Sequence, residues 1–348
     1  MVATAATRKI FIDSALAFLK KHQLDGLSLD WEYPGNRGSP AGDKEKYILL
    51  LQEILASFVK DAVTQNSTRY ILTASVGAGS KVIAKAYEIS KMAMYLDWIN
   101  LMAYDLHGSW ENVTGCTTAM KGVTPTVPNS LDIWLSGGMP ANKITLGLAA
   151  YGRSFQLKSY RVHGLGAPAI GPGSPGQYTR ASGSLAFYEM CDVFWDEKVS
   201  WAYSAAGATY AYKGNQWVGY DTESSIKHKV TTLINKFNLR GFSFWALDFD
   251  DFAGNICNLT LGKYPLLKTA VQAMTNLSKE KSSFILHQLI WSVLLLRDGS
   301  MSNLWSCGVK NIVKRKNVHR TCVFVTSLIL QILIHRISYT IKLNSYKI

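Results

Sequence analysis

The stretch Leu24-Asp25-Gly26-Leu27-Ser28-Leu29-Asp30-Trp31-Glu32-Tyr33-Pro34 reads as a buried strand that ends in reactive side chains. Alternate residues of a strand share a face. Leu27, Leu29 and Trp31 therefore point one way, and Ser28, Asp30 and Glu32 the other. An apolar face toward covering helices and an acidic opposite face is what an inward-facing barrel strand would show. Pro34-Gly35 breaks the strand and leaves Glu32 at its C-terminal end. In a parallel β/α barrel that end carries the active site. Two carboxylates at i and i+2 point the same way, with Cα atoms roughly 6–7 Å apart. Like charges that close do not both ionise easily, so one of the two pKa values is expected to rise. A glutamic acid kept protonated can act as a general acid near neutral pH. The alternative is a solvated acidic strand end, which would not need the interleaved Leu29 and Trp31.

Working outward, strands and helices alternate. Arg8 to His22 carries apolar residues at i, i+3 and i+4 and is predicted to be a helix, as is Lys44 to Gln65 after a Gly/Pro loop. Tyr70 to Val76 is a strand, Lys81 to Tyr95 a helix and Trp98 to Tyr104 a strand. A helix near Leu131 precedes the strand Ile144 to Ala150. Ser224 to Phe237 is helical, Gly241 to Leu247 a strand, and Pro265 to Asn276 the last helix. This alternation implies parallel βαβ units. The segment from Tyr151 to about Thr222 is too long for a βα loop and contains short aromatic strands such as Thr209-Tyr210-Ala211-Tyr212 and Gln216-Trp217-Val218-Gly219-Tyr220.

These motifs resemble family 18 glycoside hydrolases, the chitinases. The opening stretch is similar to their DxxDxDxE signature and to its animal form DGLDLDWEYPG. It matches at Asp25, Gly26, Leu27, Leu29, Asp30, Trp31, Glu32, Tyr33, Pro34 and Gly35, and departs at Ser28, where the family carries an aspartate. Met102-Ala103-Tyr104-Asp105 resembles the family's M-[TA]-Y-D, and Leu106-His107-Gly108-Ser109-Trp110-Glu111 matches the residues next to that motif in the family. Tyr151-Gly152-Arg153 and Phe244-Trp245-Ala246-Leu247-Asp248 resemble two further groove motifs. The resemblance implies an α/β fold: a (β/α)8 TIM barrel, here incomplete and represented by its strands four to eight, with an α+β insertion. The expected layout is a partial barrel over 1–150, the insertion over 151–222, the end of the barrel over 223–277 and an unrelated tail over 278–348. Met1 aligns just after the family's third strand, and Met1 to Thr7 does not read as a signal peptide.

The implied activity is hydrolysis of β-1,4-linked N-acetylglucosamine, with chitin or chitooligosaccharide as partner and no metal or organic cofactor. The implied mechanism is substrate-assisted retention. Glu32 is the acid and base, Asp30 orients the acetamide, and Tyr104 hydrogen-bonds its carbonyl. Tyr33, Met102, Ala103, Asp105, Trp110, Tyr151, Arg153 and Trp245 are expected to contact sugar. For Arg153 a purely structural salt bridge is the alternative, and for Trp245 a buried strand tryptophan. Ser28 carries no charge beside Asp30, so reduced activity is expected. A second departure is Ser243, where the family usually has Met. The rival reading is a chitin-binding, lectin-like protein with weak or no catalysis.

Composition narrows the partners. The net charge is +13, yet residues 279–348 carry 11 Lys+Arg against 2 Asp+Glu, leaving 26 against 22 for the rest. The basic balance belongs mainly to the tail and gives no ground for nucleic-acid binding. The 10 Trp and 17 Tyr suit stacking on sugar rings, although a core could also absorb them. Among Cys116, Cys191, Cys257, Cys307 and Cys322 no spacing suggests zinc. The resemblance implies that Cys191 and Cys257 are bridged. Four sequons, at Asn66, Asn112, Asn258 and Asn276, are compatible with a secreted glycoprotein, as is the family. A monomer is expected. The tail's apolar runs, Phe284 to Leu296 and Val323 to Ile334, fall short of the roughly 20 residues of a membrane span. A membrane anchor is the sharper reading of that tail. An unrelated, poorly ordered extension is the preferred one.

Overall fold

In the computed structural model, which describes residues 1–194, 200–204 and 208–279, the opening stretch forms strand β1 (Gly26–Leu29). It lies in a five-stranded parallel sheet with β2 (Ile71–Gly77), β3 (Trp98–Met102), β4 (Ile144–Ala149) and β11 (Gly241–Trp245), in the order β1-β2-β3-β4-β11. The register places Leu29 beside Ala74, Ala74 beside Ile99, Leu101 beside Leu146, and Leu148 beside Phe244. These apolar rows face the helices, and Leu72, Val76, Ile99, Leu101, Ile144, Leu146 and Leu148 are fully buried. The intervening rows are polar: Ser28 beside Thr73, and Ser75 beside Asn100 beside Thr145. Thr145 Oγ1 donates to Asn100 Oδ1 at 2.8 Å within that row. β1 and β11 end the sheet, each paired on one side only among the described residues. Among the described residues the sheet does not close on itself.

Two long helices cover one end of this sheet. α1 (Ala5–His22) starts at Thr4, whose hydroxyl accepts from the Thr7 amide while Thr7 accepts from the Thr4 amide. α2 (Asp43–Gln65) presents Tyr47, Leu51, Ile54 and Phe58, at helical spacing and each at most 1% exposed. Arg8 on α1 forks onto Glu53 of α2 at 2.6 and 2.9 Å. Trp31 meets Tyr47 edge-on with ring centroids 5.6 Å apart, so the outward face of the signature stretch is locked to α2. That contact fixes which way Asp30 and Glu32 can point.

One helix differs from expectation. Lys81 to Tyr95 is two helices, α3 (Ser80–Ala86) and α4 (Ile89–Tyr95). Tyr87 between them is extended, at φ −128° and ψ 136°. Its hydroxyl accepts from the Gly77 amide at 3.1 Å, and its ring packs 5.2 Å from Trp134 of α5 (Val127–Ser136). A buried tertiary contact overrides the local helical period.

Only Ala150 separates β4 from β5 (Tyr151–Leu157), the first strand of an antiparallel sheet. β6 (Ala169–Pro172), β8 (Ser200–Ser204), β9 (Ala208–Lys213) and β10 (Gln216–Tyr220) complete it in the order β6-β5-β10-β9-β8, with β7 (Ser184–Ala186) also on β5. Its small core holds Phe155, Leu157, Tyr210 and Trp217. α6 (Phe187–Phe194) follows β7 and is tied by the Cys191–Cys257 disulfide to the turn before the last helix, residues 265–279. α7 (Glu223–Lys229) buries Lys229, which pairs with Asp221 and donates to Thr118 Oγ1 at 2.6 Å. Ser225 of the same helix donates to Asp221 at 2.6 Å. Cys116 is a free thiol whose pKa burial pushes up to about 12. The apolar runs of the tail, its basic patch, Cys307 and Cys322 lie outside the described residues. No helix among the described residues is long and apolar enough to cross a membrane.

Candidate active site

β1 stops at Leu29, so Asp30 and Glu32 stand just past its end rather than within it. Both still face the same space as Ser28, because Trp31 is held on the other side by Tyr47. Burial first, and then the charge of Glu32, push the Asp30 carboxyl above its ordinary range. The expected rise within the pair is therefore found at Asp30. Glu32 Oε2 accepts from Arg37 Nη1 at 3.2 Å, a half-exposed ion pair. The Arg37 guanidinium also lies 4.9 Å over the Tyr33 ring. Burial and the Glu32 charge hold the Tyr33 phenol well above its ordinary pKa. Gly77, at the end of β2, leaves room for that ring. A Cβ there would lie 2.9 Å from Val82 and 3.2 Å from Tyr33. The Ser28 side chain is exposed and makes no hydrogen bond to Asp30.

β3 delivers Met102 at its last residue and Tyr104 two residues on, both toward the same space. Ala103 between them is 1% exposed, on the face of Ile99 and Leu101. It packs in the core and is not among the residues that line the groove, since a residue between two groove-facing neighbours on extended chain points away from it. Burial, then the charges of Asp105 and Asp30, raise the Tyr104 pKa. Tyr104 therefore stays a neutral hydroxyl. Asp105, at φ 55°, takes three bonds: from Tyr151 Oη at 2.6 Å, Arg153 Nε at 2.7 Å and Arg153 Nη2 at 2.6 Å. Tyr151 and Arg153 can reach it because β5 starts one residue after β4 ends. The Arg153 guanidinium lies 5.6 Å from the Trp110 ring. Arg153 is thus both a salt-bridge partner and a residue of the groove.

Asp30, Glu32, Tyr33, Met102, Tyr104, Asp105, Trp110, Tyr151, Arg153 and Trp245 line one groove of about 680 Å³. That volume lies within the range of small-molecule sites, about 300–1,000 Å³. Trp110 is 60% and Trp245 52% exposed, so two indole planes are open to a ligand. Acid, hydroxyl and apolar ring surface converge, which suits a sugar: hydroxyls and amides for the polar groups, indole for the C–H face. Residues that sequence reading missed also line it, among them Arg37, Ser75, Pro125, Ala181, Ser184 and Phe249. Arg37 carried a faint signal, as a cation in the loop directly after Glu32. Ala181 and Ser184 carried none, since they arrive from the insertion. Among the described residues no group of three or more His, Cys, Asp or Glu is placed to hold a metal ion.

The family model "Glycosyl hydrolases family 18" matches residues 1–250. The chain belongs to family 18 of the glycosyl hydrolases. It is 43% identical over 288 residues to mouse chitotriosidase-1, a match that spans 80% of this chain and 60% of that protein's length. Among solved structures, the immunomodulatory active chitinase TsES1 of Trichuris suis superposes with TM-score 0.74 at 36% identity, covering 79% of this chain and 75% of that one. Human YKL-39, described as a pseudo-chitinase with retained chitooligosaccharide binding, superposes with TM-score 0.73 at 36% identity, covering 79% and 76%. The family thus contains chitinases and chitinase-like binders, and its fold is the TIM barrel of which this sheet is a part.

Proposed function

We propose that this family 18 chain binds chitooligosaccharides in the groove and hydrolyses their β-1,4 linkage, at a rate lowered by Ser28. The observation that carries the reading is the meeting of Asp30, Glu32, Tyr104 and Trp245 in one trough of sugar-binding size. Glu32 protonates the glycosidic oxygen, and the substrate's own acetamide oxygen attacks the anomeric carbon. The Tyr104 hydroxyl, kept neutral by its surroundings, donates to the acetamide carbonyl. Asp30 accepts from the acetamide N–H and steadies the positive charge that develops there. Glu32 then takes a proton from the incoming water. Trp245 carries the sugar at the cleavage point. The Cys191–Cys257 disulfide fits an oxidising, extracellular setting.

The second reading, a binder without turnover, is favoured by Ser28 and by the single-sided pairing of β1 and β11. One experiment separates the two. The full chain is assayed on a fluorogenic chitooligosaccharide and titrated with chitotetraose, beside Glu32→Gln. The hydrolase reading expects turnover that falls by about 10²–10⁴ in the variant, with binding kept. Binding without turnover in the unmutated chain selects the binder, and no binding at all defeats both.

A further inference from the structure

The wall of the groove supplied by the insertion rests on one buried carboxylate. Ala181 and Ser184 line the groove, and both belong to the segment between β6 and α6. That segment has little regular structure of its own. It is closed by Glu189, on the first turn of α6 and 1% exposed. Glu189 Oε1 accepts from the amides of Tyr178 at 2.8 Å and Thr179 at 2.7 Å. Glu189 Oε2 accepts from the Thr179 hydroxyl at 2.7 Å and the Ala186 amide at 3.0 Å. Both oxygens are thus engaged, three of the four bonds being to main chain.

The fit around this carboxylate is tight. A Cβ on Gly176 would sit 2.3 Å from the Glu189 carboxyl carbon and Oε1. The anchor itself is rigid, because Cys191, two residues along α6, is bridged to Cys257. From the anchored turn the chain runs to Gly183, whose amide donates to Gly173 O at 3.0 Å and whose carbonyl accepts from Ser154 of β5 at 3.0 Å. At φ +78° Gly183 lies against Ser109, the neighbour of Trp110, and a Cβ there would be 2.8 Å from Ser109 Oγ. Glu189 therefore sets where Ala181 and Ser184 stand relative to the Trp110 turn. It does not line the groove and touches no ligand.

We infer that Glu189 is a positioning residue that fixes the insertion wall of the groove and so sets the preference for longer over shorter chitooligosaccharides. The inference rests on the sugar-binding reading of the groove. A tetrasaccharide fills more of the groove than a disaccharide, so its affinity depends more on contact with the insertion wall. Glu189→Gln keeps the shape but turns one acceptor into an NH2 donor facing amide and hydroxyl donors. The segment loses at least one main-chain bond while α6 stays in place.

The test titrates the full chain, Glu189→Gln and Ser225→Ala with chitobiose and chitotetraose. Amide hydrogen exchange is followed at Tyr178, Thr179 and Ala186. Ser225→Ala removes a hydroxyl bond to buried Asp221 in a different element and controls for general loss of stability. The expected result is a tetrasaccharide affinity about tenfold weaker in Glu189→Gln, with disaccharide affinity held and exchange faster at the three amides. Ser225→Ala lowers the melting temperature without changing the ratio of the two affinities. Faster exchange with an unchanged ratio overturns the inference, as does an unchanged exchange pattern. If the unmutated chain binds neither sugar, the parent reading falls and this inference with it, a result distinct from either of those.

Discussion

Replacing Ser28 by aspartate tests the electrostatics of the site directly. Ser28 and Asp30 lie on the same side of the extended chain, two residues apart and both exposed. Their Cα atoms are therefore about 6–7 Å apart. A second carboxylate at that distance repels Asp30 by about 0.6 kcal/mol at a water-like dielectric and about 2.5 kcal/mol at an effective dielectric of 20. Both residues are open to solvent, with the Asp30 carboxyl only partly desolvated, so the lower figure applies, and it still favours protonated Asp30 by about threefold. Burial and Glu32 already push Asp30 in this direction, so the new charge adds to the existing shift. Two adjacent carboxyls can also share one proton, which frees Asp30 to turn toward Glu32 and the acetamide. Ser28→Asp is expected to raise turnover on a fluorogenic chitooligosaccharide by about threefold or more through proton sharing, with the acid limb of the pH profile, set by Asp30 as the ionised acceptor, moved upward. Unchanged turnover and an unmoved acid limb would refute the account of Ser28 as the weak point of the site.

Two further perturbations probe the frame that holds the groove. Cys191→Ser removes the bridge across 66 residues and is expected to cost about 2–5 kcal/mol in urea unfolding. Asp97 is opposed by burial, but the Arg69 fork at 2.6 and 3.0 Å and the Leu72 amide at 2.8 Å outweigh it and hold the carboxyl below its ordinary range. A depressed carboxylate stabilises the fold above the ordinary Asp pKa of about 3.9, and that stability is lost as pH falls through the lower folded value. Asp97→Asn should therefore lower the melting temperature at pH 7 and flatten its decline below about pH 4. A variant that melts along the same acid curve as the parent would sink this assignment.

Much of this site could be read before any coordinates because it is written in local alternation. Asp30 and Glu32 share a face with Ser28, and Leu29 and Trp31 share the other, whatever the rest of the chain does. The same rule applied to Met102-Ala103-Tyr104-Asp105 places Ala103 in the core, and matching a motif letter by letter hides that. Length gave away the insertion between Tyr151 and Thr222, since no βα loop needs so many residues. What sequence could not show is what depends on distant partners. Tyr87 breaks a helix to reach the Gly77 amide, and nothing near Tyr87 announces it. Arg153 commits to Asp105, 48 positions away. Glu189 works on main-chain amides, which have no letter of their own.

The groove is assembled on a sheet whose outer strands, among the described residues, are paired on one side only. Each groove residue is held by neighbours that are present: Trp31 by Tyr47, Asp105 by Tyr151 and Arg153, Tyr33 by Arg37 and the gap at Gly77. None of these contacts needs a closed barrel. The acidic pair is different, because the proton affinity of Asp30 depends first on burial and only second on Glu32. β1 is an edge among the described residues, and Ser28 and Asp30 beside it remain exposed. Water there screens the repulsion that a general-acid pair exploits. Burial along the β1 edge and charge at position 28 therefore act on the same quantity. On the proposed reading, binding carried by indole surface and hydrogen bonds depends on neither, so loss of burial or charge at this edge is expected to lower turnover before sugar affinity.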